Sequence, residues 1–369
     1  MRVDIVDPSA YTLPYDHALC AALADLGAQV ELVTSSFAYG AAPSPDGYTV
    51  REAFYRHAFG APGSRLRTAT KLLEHVPDML RYGRGPARAA DVVHFQWLTV
   101  QSLDRFLLPR TPTVLTAHDL LPREPRPTQV GAQRRLYDTV DAIVVHSEYG
   151  RAQLVERLGV DPTKVTVVHH GAFDYLTDVA DPQLPPELRD SRRPAVLFFG
   201  LLRPYKGVDV LLEAWRSVSD ADLWIVGRPR MDVSALVASA PPGVGWVTRY
   251  VSDAELAACF RAAEVVVLPY RATERLDFSG VLASALAFGK PSVISDIGSF
   301  PEVAATGASL LVRPGDPEAL ASALSSLLTD SSARARLSDA ARAAAAGPYS
   351  WSEAAGRTLA LYRGLTGAR

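Results

Sequence analysis

Short apolar runs rich in Val, Ile and Leu alternate along the chain with longer segments whose apolar residues recur at helical spacing. This alternation is typical of parallel strands joined by crossover helices, because such strands are buried on both faces. In the first half, strands are predicted at residues 3–6, 30–34, 92–95, 113–116, 142–145 and 165–168. In the second half, they are predicted at residues 195–199, 222–226, 244–247, 264–268, 291–295 and 308–312. The pattern therefore predicts an α/β protein with two doubly wound parallel sheets.

The length of the chain and one polar stretch predict the domain organisation. A chain of 369 residues with 48% hydrophobic residues exceeds what one hydrophobic core normally supports. Residues 174–194 are polar and rich in proline, as in a surface connection. We predict domains at residues 1–175 and 194–348, a linker at 176–193 and a C-terminal segment at 349–369, with terminal helices at 332–346 and 350–365. Because open α/β sheets bind ligands at the carboxyl ends of their strands, the expected active site is a cleft between the domains.

Charge, cysteines and the N-terminus exclude several classes of protein. The 38 Lys and Arg residues nearly balance the 40 Asp and Glu residues, so no overall field indicates a nucleic-acid binder. Cys20 and Cys259 lie in apolar helical patterns, which favours buried reduced thiols over a disulfide or a zinc site. Asp4 and Asp7 interrupt the apolar stretch that a signal peptide needs, and no uncharged run approaches the roughly 20 residues that span a bilayer. A cytoplasmic protein is expected.

Two elements of the second half could bind phosphate. The strand at 195–199 runs into a loop with Arg203 and Lys206, followed by an amphipathic helix predicted at 208–217. Two cations three residues apart can both reach a pyrophosphate, although solvated charges on a turn remain the alternative. Farther along, Ser279 and Gly280 open an apolar helix. Its free amides and dipole could hold a distal phosphate, and an ordinary serine N-cap is the alternative.

Longer motifs make the sequence similar to the retaining glycosyltransferases of family four, which have the GT-B fold. The C-terminal half contains GLLRPYKGVDVLLEAW, LPY, DFSGVLASALAFGKPSVISDIGSFPEV and PYSW with Tyr362. The N-terminal half contains VVHFQW, TAHDLL, VVHSEYG and VVHHGAFDYL. The resemblance implies two Rossmann-like domains facing a central cleft, with C-terminal helices returning toward the N-terminal domain. It also implies transfer of a hexosyl unit from a nucleotide-diphosphate sugar with retention of configuration.

The same resemblance implies roles for individual residues. The catalytic candidates are Arg203, Lys206 and His118, of which His118 would contact the transferred sugar or the acceptor. From the residues alone, a structural histidine after a strand remains the alternative. The donor diphosphate and sugar are expected to contact Arg203, Lys206, Asp277, Phe278, Ser279, Gly280 and Val281. The nucleotide is expected near Arg228, Tyr250, Val251 and Ser284, and the acceptor near Tyr11, Tyr15, His118 and Asp119.

The chain departs from the family pattern at several positions. Many relatives have two glutamates eight positions apart, where this chain has Leu276 and Ser284. Ser284 could still bond a ribose hydroxyl, and Asp277 or Glu274 could serve the sugar from a shifted position. Leu201 replaces an arginine that often follows the glycine of the phosphate-binding loop. Residues 7–16 replace a glycine-rich first loop and are expected to shape the acceptor pocket differently.

The family mechanism implied here needs neither a protein nucleophile nor a metal ion, because the donor phosphate receives the acceptor proton. The pair His169 and His170 lacks a partner at metal-site spacing. No cofactor is therefore expected beyond the donor substrate. Two other functions stay open: a non-catalytic subunit that binds a sugar nucleotide, and a sugar-nucleotide epimerase.

The acceptor is less specified than the donor. Residues 64–88 combine basic and apolar side chains and could dock on an anionic membrane at its inner face or bind a lipid-phosphate acceptor, with a solvated surface helix as the alternative. A polysaccharide or lipid-linked saccharide and a small natural product are the acceptors considered. The sequence specifies neither the base, nor the sugar, nor the oligomeric state.

Overall fold

A computed structural model of the chain describes residues 1–37, 43–59, 64–98, 100–121, 127–190, 192–272 and 277–367. The chain divides into two compact units. The first comprises Met1–Gly171 together with Trp351–Arg369, and the second comprises Ala172–Ser350. Each unit contains one sheet whose described strand pairs are all parallel. Two Rossmann-like units of this kind agree with the predicted fold class.

The first unit is built on a seven-stranded sheet. Its strands are β1 (Arg2–Asp7), β2 (Gln29–Ser35), β3 (Thr49–Phe54), β4 (Val92–Phe95), β5 (Thr113–Thr116), β6 (Ala142–Val145) and β7 (Val165–Val167). They lie in the order β3-β2-β1-β4-β5-β6-β7. The connections contain α1 (Leu13–Asp25), α2 (Arg65–Arg84), α3 (Gln101–Asp104), α4 (Pro127–Thr139) and α5 (Glu148–Ala152). The first unit also contains a π-helical turn at Gln153–Arg157 and 3-10 turns at Pro86–Ala89 and Pro162–Lys164.

The second unit repeats the design with six strands. These are β8 (Ala195–Phe199), β9 (Asp222–Val226), β10 (Val244–Val247), β11 (Val265–Leu268), β12 (Ser292–Ser295) and β13 (Ser309–Val312). Their order is β10-β9-β8-β11-β12-β13. The helices are α6 (Val208–Trp215), α7 (Ser234–Ala238), α8 (Asp253–Ala262), α9 (Gly280–Ala287), α10 (Phe300–Ala304), α11 (Pro317–Thr329) and α12 (Ser331–Ala346). Short 3-10 turns occur at Asp174–Leu176, Pro186–Leu188 and Pro204–Lys206.

Strand β8 shows why these apolar runs form central strands. Successive side chains of a strand point to opposite faces of the sheet, so a strand covered on both sides must be apolar throughout. Ala195 and Leu197 pack into one hydrophobic core of the second unit, whereas Val196 and Phe198 pack into the other. The twelve predicted strands are confirmed to within one residue at each end.

The sequence pattern missed β3 at the edge of the first sheet. The sequence of this strand, TVREAF, mixes charged and apolar residues, and only Phe54 is buried. Since β3 pairs with β2 alone, it did not need a continuous apolar run. The helix predicted at 208–217 ends two residues earlier, at Trp215.

The last helix, α13 (Trp351–Gly367), belongs to the first unit although the second unit precedes it in the chain. Its Tyr362 is fully buried, and the Tyr362 hydroxyl lies 2.6 Å from Nδ1 of His94. The Trp351 ring packs edge-on against Tyr15, with 5.0 Å between ring centroids. The expected return of the C-terminus to the first domain is thus confirmed for α13.

Two further predictions concern thiols and membranes. Cys20 and Cys259 are both buried and unbridged, as expected. Within the described ranges, the helices lack the combination of length and apolar character that crossing a bilayer requires.

Candidate functional site

The phosphate-binding candidates of the second unit lie at the switch point of its sheet. Strand order reverses between β8 and β11, so the loops that follow these two neighbouring strands leave the same edge of the sheet together. Open α/β sheets bind ligands at such a point. The loop after β8 carries Arg203 and Lys206, and the loop after β11 leads to Ser279 at the start of α9.

These two loops pack directly against each other at Gly207. This residue has φ of +70°, and a Cβ atom there would lie 1.9 Å from the carbonyl oxygen of Pro269. The backbone N–H of Arg271 also donates to the carbonyl of Tyr205 over 2.8 Å. Only glycine combines the left-handed backbone with so close an approach.

Lys206 is a buried cation rather than a solvated charge on a turn, since its exposed fraction is 8%. Its ammonium group donates a hydrogen bond to the hydroxyl of Tyr270. The same Nζ atom lies 3.9 Å from the centroid of the Tyr270 ring. The Tyr270 hydroxyl in turn lies 3.3 Å from Oγ of Ser279, so a single hydroxyl connects the cation to the start of α9.

The start of α9 faces the same region. Ser279 occupies the N-cap position, but its side chain accepts no hydrogen bond from the helix amides, unlike an ordinary serine cap. Gly280 is exposed. A Cβ atom at Gly200, the first residue after β8, would lie 3.8 Å from Nζ of Lys206 and 3.5 Å from a methyl carbon of Val281. The loop after β8, Lys206 and the helix N-terminus therefore converge.

Arg203 and Arg228 lie on adjoining loops of this edge. The backbone N–H of Leu202 donates to the carbonyl of Arg228 over 3.1 Å, which joins the loops after β8 and β9. Arg203 is half-buried, and its Nε is enclosed without a hydrogen-bond partner among the described residues. Arg228 is exposed.

Other donor-site candidates are built into the second unit. Asp277 is fully buried, and its backbone carbonyl accepts a hydrogen bond from the Ser299 hydroxyl. The Phe278 ring stacks on Tyr349, with centroids 5.8 Å apart and an interplanar angle of 25°. These contacts fix the residues that precede α9.

Of the two positions where many relatives have glutamate, the structure describes only Ser284. Ser284 is buried, and its hydroxyl donates to the Gly280 carbonyl over 3.1 Å, one helical turn earlier. Leu276 and Glu274 lie outside the described residues.

Tyr250 is presented on a turn held by ion pairs. Nε of Arg249 lies 3.0 Å from a carboxylate oxygen of Glu187, and its Nη2 lies 2.7 Å from Glu255. The adjacent Tyr250 side chain is 63% exposed, whereas Val251 is buried. Of the two nucleotide candidates here, only Tyr250 offers its side chain to solvent.

In the first unit, the strand order reverses between β1 and β4, and the loop after β1 is held by a buried carboxylate there. Asp7 accepts backbone N–H bonds from Ser9, Tyr11 and Thr12 at 3.1, 2.5 and 3.1 Å. Burial raises the pKa of Asp7. Burial and the neighbouring Asp7 raise the pKa of Asp16 well above its usual value. These carboxyl groups give the loop its shape.

His118 follows β5 and is half-buried. It lies next to His146, which packs against His170, and both of these neighbours are buried. Its Nδ1 lies 3.1 Å from Nε2 of His146, and its Nε2 lies 3.1 Å from Oε1 of Gln96. Both ring nitrogens of His118 therefore contact neighbouring side chains. Burial lowers the pKa of His118 well below its usual value, that of His146 to about 4 and that of His170 to about 3. Among the described residues, no three or more His, Cys, Asp or Glu side chains are grouped to hold a metal ion.

Aromatic rings surround His118. Trp97 stacks on it, with centroids 5.3 Å apart and an angle of 15°. Tyr15, an acceptor candidate, is buried and packs edge-on against the other rings, 4.7 Å from His118. Tyr11, by contrast, is 58% exposed, and Asp119 is half-buried.

The sequence pattern indicated no role for Trp97 or Tyr270. Each follows a strand at a switch point, Trp97 after β4 and Tyr270 after β11. Their position after these strands was the one signal in the sequence for a role in the site. Their contacts could not be predicted, because they join segments that are distant in sequence.

Comparison with known proteins gives matches over most of the chain. The family model described as Glycosyltransferase Family 4 matches residues 15–172. The model described as Glycosyl transferases group 1 matches residues 193–330. Alpha-maltose-1-phosphate synthase of Mycolicibacterium smegmatis is 32% identical over 311 residues, which cover 75% of this chain and 80% of that protein. D-inositol 3-phosphate glycosyltransferase of Corynebacterium glutamicum is 27% identical over 337 residues, which cover 81% and 78%.

Solved structures share the fold over the full length. Sucrose-phosphate synthase from Thermosynechococcus elongatus superposes with a TM-score of 0.77 at 20% identity, covering 100% of both chains. Anabaena HepE in complex with UDP-glucose superposes with a TM-score of 0.72 at 17% identity, covering 98% of this chain and 100% of that one.

Proposed function

The chain belongs to glycosyltransferase family 4, with the GT-B type of fold, and on that premise we propose that it moves a hexosyl unit from a nucleoside-diphosphate sugar to an acceptor hydroxyl with retention of configuration. The fold likeness to HepE, which was solved with UDP-glucose, supports a nucleoside-diphosphate donor and makes UDP-glucose the first to test. Saccharide, lipid-linked and natural-product acceptors remain candidates.

The observation that carries the proposal is the convergence of Lys206, Tyr270 and Ser279 at the switch point of the second sheet. Breaking the bond between the sugar C1 and the diphosphate leaves negative charge on the departing oxygen. A buried ammonium and the amino end of a helix stabilise such charge without having to reorganise. Arg203 adds a guanidinium fork whose Nε lacks a partner among the described groups.

In the proposed reaction the acceptor oxygen bonds to C1 on the face that the diphosphate leaves, and the acceptor proton passes to the donor phosphate. This route needs no protein nucleophile and uses no metal ion. His118 would bind a sugar or acceptor hydroxyl by exchanging its contact with Gln96. Asp277, Phe278, Gly280 and Val281 would line the phosphate and sugar. Arg228, Tyr250, Val251 and Ser284 would lie near the nucleotide, and Tyr11 and Asp119 near the acceptor.

We also propose peripheral contact with an anionic membrane through α2. Its Leu66, Leu72 and Leu73 side chains are 53%, 54% and 78% exposed. Arg65 and Arg81 on the same helix are exposed too, so apolar and basic side chains are presented together. Co-sedimentation with vesicles of anionic and of neutral lipid tests this contact, and equal recovery with both would reject it.

The phosphate-binding role is tested by calorimetric titration with UDP. Arg203→Ala and Lys206→Ala should each weaken UDP binding by about 1 to 3 kcal/mol, the range for charge-assisted hydrogen bonds. Arg216→Ala is the matched control, because Arg216 is an exposed cation of the same unit paired with Glu213. Unchanged affinity in both loop variants would reject the assignment.

Incubation with nucleotide sugars, with and without saccharide acceptors, separates the competing functions. Transfer that requires an acceptor supports the proposal. Binding without turnover would favour a non-catalytic subunit, and a changed sugar without acceptor would favour an epimerase.

A further inference from the structure

We propose that Tyr11 and Trp97 form an aromatic platform on which a neutral sugar ring of the acceptor stacks. This inference rests on the proposed glycosyltransferase function and names the chemical class that its acceptor site recognises.

The rings of the platform form a corner rather than a flat patch. Their centroids are 4.7 Å apart, and the planes are inclined at 58°. Tyr11 is 58% exposed, and Trp97 is half-buried. A pyranose carries axial C–H groups on its faces and hydroxyl groups around its edge, so it can contact two inclined rings at once. Aromatic rings of this kind supply large apolar area with little loss of side-chain freedom.

The exposure of Tyr11 is built into the loop. Its backbone N–H donates to Asp7 over 2.5 Å, and the preceding residue, Ala10, has φ of +51°. The indole N–H of Trp97 donates to the Thr12 hydroxyl over 2.9 Å, which joins the second ring to the same loop. A large exposed aromatic held by a buried carboxylate and a left-handed residue is the arrangement expected of a binding surface.

The underside of the platform favours a neutral ligand. Trp97 stacks in parallel on His118, which is uncharged because burial lowers its pKa well below the usual value. Behind that ring lies the edge of Tyr15. Neutral rings therefore form the support, and an apolar sugar face suits this surface better than a phosphate does.

The platform lies at the edge of the first sheet where a ligand is expected to bind. Tyr11 and Trp97 follow β1 and β4, the two strands between which the order of the first sheet reverses. That is where an open α/β unit binds its ligand. The platform thus marks the ligand edge of the unit that the proposed function assigns to the acceptor.

The experiment measures saturation transfer by NMR to methyl β-D-glucopyranoside, methyl β-D-galactopyranoside and methyl α-D-mannopyranoside, using the full chain with and without UDP. We expect signals on the ring C–H protons of at least one glycoside. Tyr11→Leu and Trp97→Leu should each weaken that binding about tenfold, whereas Tyr11→Phe should retain it because the ring remains. Phe106→Leu is the matched control: Phe106 is 68% exposed and lies against Arg105.

The outcomes separate the platform from the proposed function. Glycoside binding that is equal in all variants, or absent from protein that binds UDP, overturns the platform and leaves the donor site standing. Binding only of myo-inositol 1-phosphate or of anionic vesicles, offered as competing probes, overturns it too. Failure to bind any nucleoside diphosphate would instead count against the proposed function, and the glycoside series without UDP would still decide the platform. Tyr11 is exposed, so its variants keep the test valid if Trp97→Leu fails to fold.

Discussion

The ammonium of Lys206 lies 3.9 Å from the ring centroid of Tyr270 and donates a hydrogen bond to the hydroxyl of that same side chain. Tyr270 thus meets a buried cation with its ring and, through its hydroxyl, also reaches Ser279 at the start of α9. One aromatic residue links the two proposed phosphate-binding elements.

Tyr270→Phe should weaken UDP binding about tenfold, because phenylalanine retains the ring under Lys206 but removes the hydroxyl that connects Lys206 with Ser279. Isothermal titration with UDP measures the change. Tyr205→Phe is the matched control, since the Tyr205 ring lies 5.5 Å from the same ammonium. Equal affinities in wild type and Tyr270→Phe would show that the hydroxyl is dispensable.

Gly207→Ala should lower the free energy of unfolding by about 2 to 4 kcal/mol, because the new Cβ would collide with the Pro269 carbonyl as well as straining a left-handed backbone. Gly315→Ala provides the comparison. Gly315 has φ of +73°, but a Cβ atom there would have no neighbour within 4 Å, so its cost should stay near 1 kcal/mol. Urea denaturation of both variants measures the difference, and similar midpoints would contradict the close packing of the two loops.

Acid should destabilise the first unit through its histidines. All eight histidines of the chain lie in the first unit. Burial lowers the pKa of His17 and His146 to about 4, and that of His94 and His170 to about 3. An unfolded histidine titrates near pH 6.5, so the unfolded chain takes up protons first as the pH falls below that value. Stability from these groups is present above about pH 6.5 and declines toward pH 4, by roughly 1 kcal/mol per group at pH 5.5.

Thermal melts of His17→Asn at pH 7.5 and 5.5 test this prediction. The acid shift in melting temperature should be smaller than in the wild type, because one group that resists protonation has been removed. Asparagine can keep a hydrogen bond to Tyr48, the partner of His17. His57→Asn, at an exposed position, should leave the shift unchanged. Identical shifts in all three proteins would refute a contribution from His17.

Asp16→Asn should change stability with the opposite sign of pH dependence. Burial and then Asp7 raise the pKa of Asp16, so the folded state retains a proton that the unfolded state has lost. Stability from this group is therefore complete below the unfolded pKa of about 4 and is lost as the pH rises through the folded pKa. Asparagine carries no titrating proton and can still accept from Thr12, which bonds Asp16 over 3.3 Å.

The measurement is the melting temperature of Asp16→Asn relative to wild type between pH 5 and 8. The difference should grow in favour of the variant as the pH rises. Asp16→Ala, which loses the Thr12 contact, should be less stable than Asp16→Asn at both ends of the range. A difference that is independent of pH would contradict the raised pKa of Asp16.

The fold was predictable because each central strand had to be apolar on both faces. All the residues at 265–268 and at 142–145 are buried, as expected for central strands that are covered on both faces. Strand β3 was not predicted, because an edge strand with one neighbour does not need to be apolar on both faces. Local sequence was sufficient wherever burial was complete.

The sequence indicated which loops of the candidate site lie near each other, but it did not indicate the contacts between them. The loops with Lys206 and Ser279 follow neighbouring strands, so topology alone brought them together. The contact that joins them depends on Tyr270. This residue contacts Lys206, 64 positions earlier in the chain, and Ser279, 9 positions later. Such contacts arise from three-dimensional packing, which spacing along the chain does not encode.

The position of α13 bears on the order in which the protein can be made. The ribosome completes the second unit before it adds Tyr362, yet the hydroxyl of Tyr362 provides one of the two hydrogen-bond partners that the buried His94 ring has among the described residues, the other being Thr116. The Tyr15 ring likewise gains its contact with Trp351 only after the second unit has been synthesised. A nascent chain released before residue 351 would leave both side chains without Tyr362 and Trp351 as partners. The packing of the first unit can therefore be completed only after its last helix, α13, has been synthesised.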